Sequence, residues 1–241
     1  MWSAALGRSM PITVYVPPGY DSSPPQQYAV HYLLHGLAGT NREWEDYGAF
    51  AAAEQLFADP SVTPFLVVLP QGDLSYWVDQ SGGPAWGAYV AHDVVGYVES
   101  HYRSLPTSSS RAIGGLSAGA DGALQISLTY PGVFDIVAAH SPVLRPYSIA
   151  APFYGTPEYH AAHFPPALFA SHADPARQLR LWIDVGDRDE WISNVTALHS
   201  RLTELGIAHT WTVWPGVHEL AYWSAHLSEY LRWVAEQLGA R

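Results

Sequence analysis

A serine flanked by glycines constrains this chain more than any other feature. In Arg111-Ala-Ile-Gly-Gly-Leu-Ser-Ala-Gly-Ala-Asp-Gly-Ala-Leu124, the pentapeptide Gly115-x-Ser117-x-Gly119 stands between a short apolar run and an Ala-rich segment of helical pattern. A strand must end and a helix must begin within three residues. Such a turn holds the serine in a strained conformation with its Oγ exposed, and the glycines remove the Cβ atoms that would collide with strand and helix. Ser117 is therefore expected to be a nucleophile.

Apolar, β-branched runs recur along the chain with helical patterns between them. Strands are expected at Ile12–Val16, Ala29–Leu34, Phe65–Leu69, Ala112–Gly115, Ile136–Ala139, Leu181–Val185 and Thr210–Trp214. Helices are expected at Tyr47–Phe57, Ala91–Tyr102, Ala118–Tyr130, Ile192–Leu205 and Leu220–Leu238, several of them closed by Pro or Gly. The Pro/Gly-rich turn after Ile12–Val16 suggests an antiparallel start to the sheet, with Ala29–Leu34 as the adjacent strand. Alternation over the rest predicts an α/β fold, a doubly wound and mostly parallel sheet with helices on both faces. Reactive groups gather at the carboxyl ends of strands in such sheets, and Ser117 falls there. Residues 145–177, rich in Pro, Tyr, Phe and His and without clear periodicity, read as a lid or insertion over that edge. No linker, repeat or charge block divides the chain, so residues 1–241 are expected to form a single domain.

Composition removes several alternatives. All 11 basic residues are arginine, which excludes a lysine Schiff base or a Ser–Lys dyad, and the lack of cysteine excludes thiolate chemistry and disulfides. With 22 acidic residues the net charge is −11, which leaves no electrostatic footprint for nucleic acid. Although there are 12 histidines, His160-x-x-His163 has no third ligand near it in sequence, and no metal site is expected. No apolar run reaches transmembrane length, and Met1-Trp-Ser-Ala-Ala-Leu-Gly-Arg8 lacks the regions of a signal peptide. The expectation is a chain with no membrane partner, cytoplasmic as it stands, or secreted if a leader has been removed.

A serine hydroxyl needs a base to take its proton and a third group to orient that base. In this fold type the order along the chain is serine, acid, histidine, each on a loop after a later strand. Pro215-Gly-Val-His218 follows the strand Thr210–Trp214, so His218 is the expected base. The acid loop after Leu181–Val185 is crowded by Asp184, Asp187, Asp189 and Glu190. Asp184 lies within the strand pattern, whereas Asp189 lies far enough around the turn to reach a neighbouring loop; Asp189 is preferred, with Asp187 next. The oxyanion requires two aimed N–H donors, expected from Ala118 at the helix N-terminus and Leu37 in His35-Gly-Leu-Ala-Gly39. His35 is expected to prop this loop. Aromatic residues on loops have no strand face to fill, so Trp44, Trp77, Trp86 and Trp191 are expected to form a substrate-binding rim, while Trp182 and Trp211 on strands belong to the core.

Taken in order, Val14-Tyr-Val-Pro-Pro-Gly-Tyr-Asp21, Tyr32-Leu-Leu-His-Gly-Leu37, Trp44, Gly115-Leu-Ser-Ala-Gly119, Gly186-x-x-Asp189 and Pro215-Gly-Val-His218 with Tyr222-Trp223 span nearly the whole chain. In these pieces the chain resembles the Putative esterase (esterase D-like) family of α/β-hydrolases, which includes S-formylglutathione hydrolases, mycolyltransferases and the feruloyl and acetylxylan esterases of carbohydrate esterase family one. The resemblance implies nucleophile Ser117, acid Asp189, base His218 and oxyanion donors Leu37 and Ala118. Gly-x-Ser-Met-Gly-Gly is common in the S-formylglutathione branch where this chain has Ser117-Ala-Gly-Ala120, and the Cys-free, Trp-rich chain resembles the carbohydrate-esterase branch more. The implied function is a serine esterase that forms an acyl-enzyme on short-chain or hydroxycinnamoyl esters, small molecules or carbohydrate esters, without metal or organic cofactor. An acyltransferase of the same family, or a catalytically silent carbohydrate-binding member of the fold, is the alternative.

Overall fold

The computed structural model describes residues 1–22 and 25–239. Seven strands form one sheet: β1 (Ile12–Tyr15), β2 (Ala29–Leu34), β3 (Phe65–Pro70), β4 (Arg111–Leu116), β5 (Ile136–His140), β6 (Arg180–Gly186) and β7 (Thr210–Trp214). Their order is β1-β3-β2-β4-β5-β6-β7, with only β1 antiparallel to its neighbour. The antiparallel partner of β1 is β3, pairing Ile12 with Pro70, and not the chain neighbour β2 expected from the intervening turn. All six residues of β3 are buried, and such a run requires a strand on each side. It therefore takes the place between β1 and β2.

The side-chain period of two divides the core between the sheet faces. Val30, Tyr32 and Leu34 of β2 join Leu66 and Val68 on one face, whereas Leu33 joins Phe65, Val67 and Leu69 on the other. Helices α1 (Ala49–Phe57) and α10 (Leu227–Gly239) cover the second face. The first is covered by α2 (Val95–His101), α3 (Ala118–Thr129) and α8 (Ile192–Glu204). The expected helix Leu220–Leu238 is divided into α9 (Leu220–Ala225) and α10 at His226.

Residues 145–177 contain four short helices, α4 (Tyr147–Tyr154), α5 (Pro157–His163), α6 (Pro165–Ser171) and α7 (Ala173–Ala176). Pro157 and Pro165 stand in the first turns of α5 and α6, where a missing N–H costs nothing. Among the described residues no helix is long and apolar enough to cross a membrane.

Candidate active site

β4 delivers Ser117 to the carboxyl edge of the sheet in a left-handed conformation, φ 54° and ψ −120°. A non-glycine residue there is strained, so the surroundings must hold it. Its N–H donates to the His140 carbonyl at 3.0 Å, and its own carbonyl accepts from Ala120 and Asp121 in the first turn of α3. The flanking glycines are there for close approach: a Cβ on Gly115 would lie 2.4 Å from the Gly119 carbonyl carbon, and one on Gly119 would lie 2.3 Å from the Leu34 carbonyl oxygen. Strand, turn and the neighbouring loop touch backbone to backbone.

Ser117 Oγ lies 2.9 Å from His218 Nε2, and His218 Nδ1 lies 2.8 Å from Asp189 Oδ2. A carboxylate only accepts, so Nδ1 carries the proton and Nε2 is free to accept from the serine hydroxyl. The side chain of Asp189 is fully buried and that of His218 is 15% exposed. The second Asp189 oxygen accepts the Trp191 N–H at 2.8 Å, which fixes the carboxylate plane. An edge contact with Trp223, ring centroids 5.0 Å apart, limits rotation of the imidazole.

The other acids of this loop are otherwise engaged. Asp187 Oδ1 accepts the Gly216 N–H at 2.9 Å, and Asp187 N–H donates to the Trp214 carbonyl, so this residue laces the acid loop to the histidine loop. Glu190 is exposed. Asp184 is buried in β6, where it pairs with His140 Nδ1 and accepts from Tyr222 and Tyr230 hydroxyls at 2.8 and 3.2 Å. Sequence reasoning missed this second His–Asp pair. Its members are on adjacent strands in register, and periodicity alone marks both only as buried.

After β2 the chain turns at Gly36 toward the serine. A Cβ on Gly36 would approach Leu116 Cδ1 at 2.9 Å and Ser117 Cβ at 3.6 Å. Gly36 N–H donates to Glu43 at 2.7 Å, and burial raises the pKa of that carboxyl above its ordinary value. Glu43 went unnoticed in the sequence because no motif ties it to the loop. His35 accepts the Gly72 N–H at Nε2, 2.8 Å, so its proton is on Nδ1 and faces the Gly36 carbonyl at 2.7 Å. Burial lowers its pKa. Among the described residues the N–H groups of Leu37 and Ala118 make no hydrogen bond, and the Leu37 side chain packs against the apolar cluster that contains Ala118.

Three of the four tryptophans expected at the rim lie elsewhere. Trp44, in a single helical turn (Glu43–Asp46), is 1% exposed and donates from Nε1 to the Leu34 carbonyl at 2.9 Å. Trp77 is fully buried, with its side chain between Gly72 and Gly122, and donates to the His35 carbonyl at 3.1 Å. Trp86 is buried in the core with the Arg8 guanidinium 5.4 Å above its ring. A tryptophan beside glycines finds room in the interior even when it leaves a loop. Only Trp191 is half-exposed, packed against the cluster that holds Ala118. Trp182 is buried, as its strand position suggested, whereas Trp211 is only half-buried and stacks on His199.

A mostly parallel, doubly wound sheet with Ser117, Asp189 and His218 on loops after β4, β6 and β7 defines an α/β-hydrolase. The chain belongs to the Putative esterase family, whose family model matches residues 3–234. A protein of Mycobacterium tuberculosis (strain ATCC 25618 / H37Rv) named as an esterase is 25% identical over 254 residues, 90% of this chain and 54% of that protein. The chain thus spans about half the length of the curated relatives it matches. A solved ferulic acid esterase is similar with a TM-score of 0.88 and 22% identity, over 98% of this chain and 96% of that one. A fluorophosphonate-binding serine hydrolase of Staphylococcus aureus is similar with a TM-score of 0.85 and 20% identity, over 97% and 95% of the two chains.

Proposed function

We propose that this chain is a serine carboxylic-ester hydrolase that works through an acyl-enzyme. The observation carrying this reading is the unbroken relay from Ser117 Oγ through His218 to the buried Asp189, at 2.9 and 2.8 Å, on a serine held at positive φ. Ser117 Oγ attacks the ester carbonyl carbon while its proton passes to His218 Nε2, and Asp189 stabilises the imidazolium. The oxyanion is met by the N–H groups of Leu37 and Ala118. Collapse breaks the ester C–O bond, His218 protonates the leaving alkoxide, and the acyl group remains on Ser117. Water then attacks with its proton going to His218, and the second collapse returns that proton to Oγ as the acid departs. Every proton moves among the substrate, water and these residues.

The acyl groups proposed are short-chain or hydroxycinnamoyl, on carbohydrate or small-molecule alcohols. Support comes from likeness to a ferulic acid esterase and from Leu37, Phe153 and Trp191, partly buried against the cluster that holds Ala118. The test is a hydrolysis panel of acetyl, butyryl, feruloyl and dodecanoyl esters for the wild type and Ser117→Ala. Loss of on the order of 10⁴ or more in kcat for the variant, with the circular dichroism spectrum retained, is the expected result. A variant that keeps a tenth of wild-type activity overturns the assignment. A wild type that cleaves acetyl esters and ignores methyl ferulate removes the hydroxycinnamoyl part alone.

A further inference from the structure

An arginine without a carboxylate partner stands next to the proposed esterase site. β5 runs beside β4 as far as the pair Leu116–His140, and the Ser117 N–H donates to the His140 carbonyl, so the segment that leaves β5 starts at the nucleophile. Ser141 at φ 49° and Leu144 at φ 48° give this segment two left-handed turns, of the kind that persist only where neighbours enforce them. Leu144 N–H is bound by both carboxylate oxygens of Asp121 in α3, at 3.2 and 3.1 Å. That bond places Arg145.

The Arg145 guanidinium carbon lies 5.0 Å from the centroid of the Trp191 ring and 5.8 Å from that of Tyr76. Among the described residues six other arginines each face a carboxylate; Arg145 faces none within ion-pair distance, a property it shares with Arg232 and with Arg103 and Arg180, which donate to backbone carbonyls instead. Asp121, whose oxygens are taken by Leu144, is fully buried, and burial pushes its pKa up to about 7.

Two N–H groups around this position are buried without a hydrogen-bond partner among the described residues, Arg145 Nε and Trp191 Nε1, while the Tyr76 hydroxyl lies within reach of the Arg145 guanidinium. Both are obligate donors, so what satisfies them is a ligand rich in acceptors. Leaving such donors unpaired is costly, and each asks for an explanation. The cluster also adjoins the start of the helix that follows Ser117. Tyr76 packs with Ala118, with Leu37 and Trp191 against them, and the Trp191 backbone N–H holds Asp189. A guanidinium is a planar fork of donors, and the acceptor that matches such a fork with two parallel bonds is a carboxylate.

We propose that Arg145, with Tyr76 and Trp191, forms a carboxylate-binding subsite, and that the preferred substrate is an ester bearing a carboxylate in addition to its scissile bond. The inference rests on the serine-esterase reading above. The carboxylate belongs either to the acyl group or to the alcohol portion, and two matched pairs of probes separate these sources. For the acyl side the pair is mono-p-nitrophenyl succinate and p-nitrophenyl butyrate; for the alcohol side it is 4-carboxyphenyl acetate and its methyl ester.

The wild type is expected to favour the anionic member of one pair by at least about tenfold in kcat/KM, the scale of one charge-assisted hydrogen bond. Arg145→Gln should lower that within-pair ratio by about tenfold or more, and Arg145→Lys should restore part of it by keeping the charge without the fork. A general loss of folding or of the triad lowers both members of a pair and leaves the ratio in place. If Arg145→Gln does not fold, Trp191→Phe decides: it keeps a ring and the N–H bond to Asp189, removes the indole donor, and should lower the same ratio. No preference in either pair, or a preference unmoved by these substitutions, overturns the subsite while neutral-ester hydrolysis leaves the esterase reading standing. Failure to cleave any of the four esters overturns the esterase reading itself.

Discussion

Trp77 grips His35 twice: its indole N–H donates to the His35 carbonyl at 3.1 Å, and the two rings meet edge to face with centroids 4.7 Å apart. Trp44 makes the equivalent bond one residue earlier, to the Leu34 carbonyl. Two buried indoles thus hold consecutive carbonyls immediately before Gly36 and Leu37. Those same carbonyl oxygens are the atoms a Cβ on Gly119 would strike, at 2.3 and 2.6 Å. The tryptophans therefore set the distance between the proposed oxyanion loop and the helix of the proposed nucleophile.

Truncation of Trp77 should then act on stability and on turnover, and not on recognition of an aromatic acyl group. Trp77→Ala should cost about 3–5 kcal/mol of unfolding free energy, the range for a large buried aromatic. Trp77→Phe, which keeps most of the volume and leaves the His35 carbonyl unpaired, should cost about 1–3 kcal/mol. Urea denaturation measures both. Acetyl and feruloyl esters should lose kcat/KM in parallel, and a rise in KM confined to the feruloyl ester would return Trp77 to the substrate rim.

The acid loop separates two aspartates that the sequence leaves close in rank. Asp189 faces His218 Nδ1 from a buried position, whereas Asp187 is half-exposed and holds the Gly216 N–H. Asp189→Asn should lower kcat by about 10²–10⁴, because an amide at that place does not stabilise the imidazolium and can favour the wrong tautomer. Asp187→Asn keeps an acceptor for Gly216 and should change kcat by less than about threefold, as expected for a surface hydrogen bond. Steady-state kinetics of the two purified variants is the check, and the reverse ranking transfers the role to Asp187.

How much of this could be read from sequence depends on the range of the interaction involved. The limits of the seven strands of the main sheet were legible to within a residue because continuous burial, as in Phe65–Pro70, leaves a local apolar pattern, whereas the two-residue strands Trp2–Ser3 and Arg8–Ser9 are too short to leave one. Ser117, Asp189 and His218 could be placed because loop order follows from the order of the strands, and the structure brings these three together. The partner of β1 could not, since the choice between β2 and β3 is made by the whole sheet and not by the turn after β1. Side-chain direction was equally hidden. Nothing local in Glu43–Asp46 says that its tryptophan turns inward, and Gly72 and Gly122, 50 residues apart, together make the space for Trp77. The Asp184–His140 pair and the position of Arg145 belong to the same class, because each depends on elements that meet only in the folded sheet.

Asp121 carries a pH dependence whose sign follows from its burial. Desolvation raises its pKa from the ordinary 3.8 to about 7, opposed by hydrogen bonds from the Leu144 and Val143 N–H groups and by the charge of Arg145. Between those two values the native state binds a proton that the unfolded chain has released. This contribution to stability is fully present below the unfolded pKa and is lost as pH rises toward 7. Asp121→Asn removes the titration while keeping an acceptor for Leu144, so the variant should gain on the wild type by roughly 2.5 kcal/mol between pH 5 and pH 8, at about 1.4 kcal/mol per unit of displaced pKa. Urea denaturation at pH 5, 6, 7 and 8 measures the difference, and constant offsets from the substitution cancel in it. Arg145→Gln should move the pH at which the wild-type curve levels off upward, since it removes a charge that favours the ionised carboxylate. Parallel pH curves for wild type and Asp121→Asn would mean that Asp121 is ionised in the native fold at pH 5, and Arg145 would then have a full counter-charge beneath it.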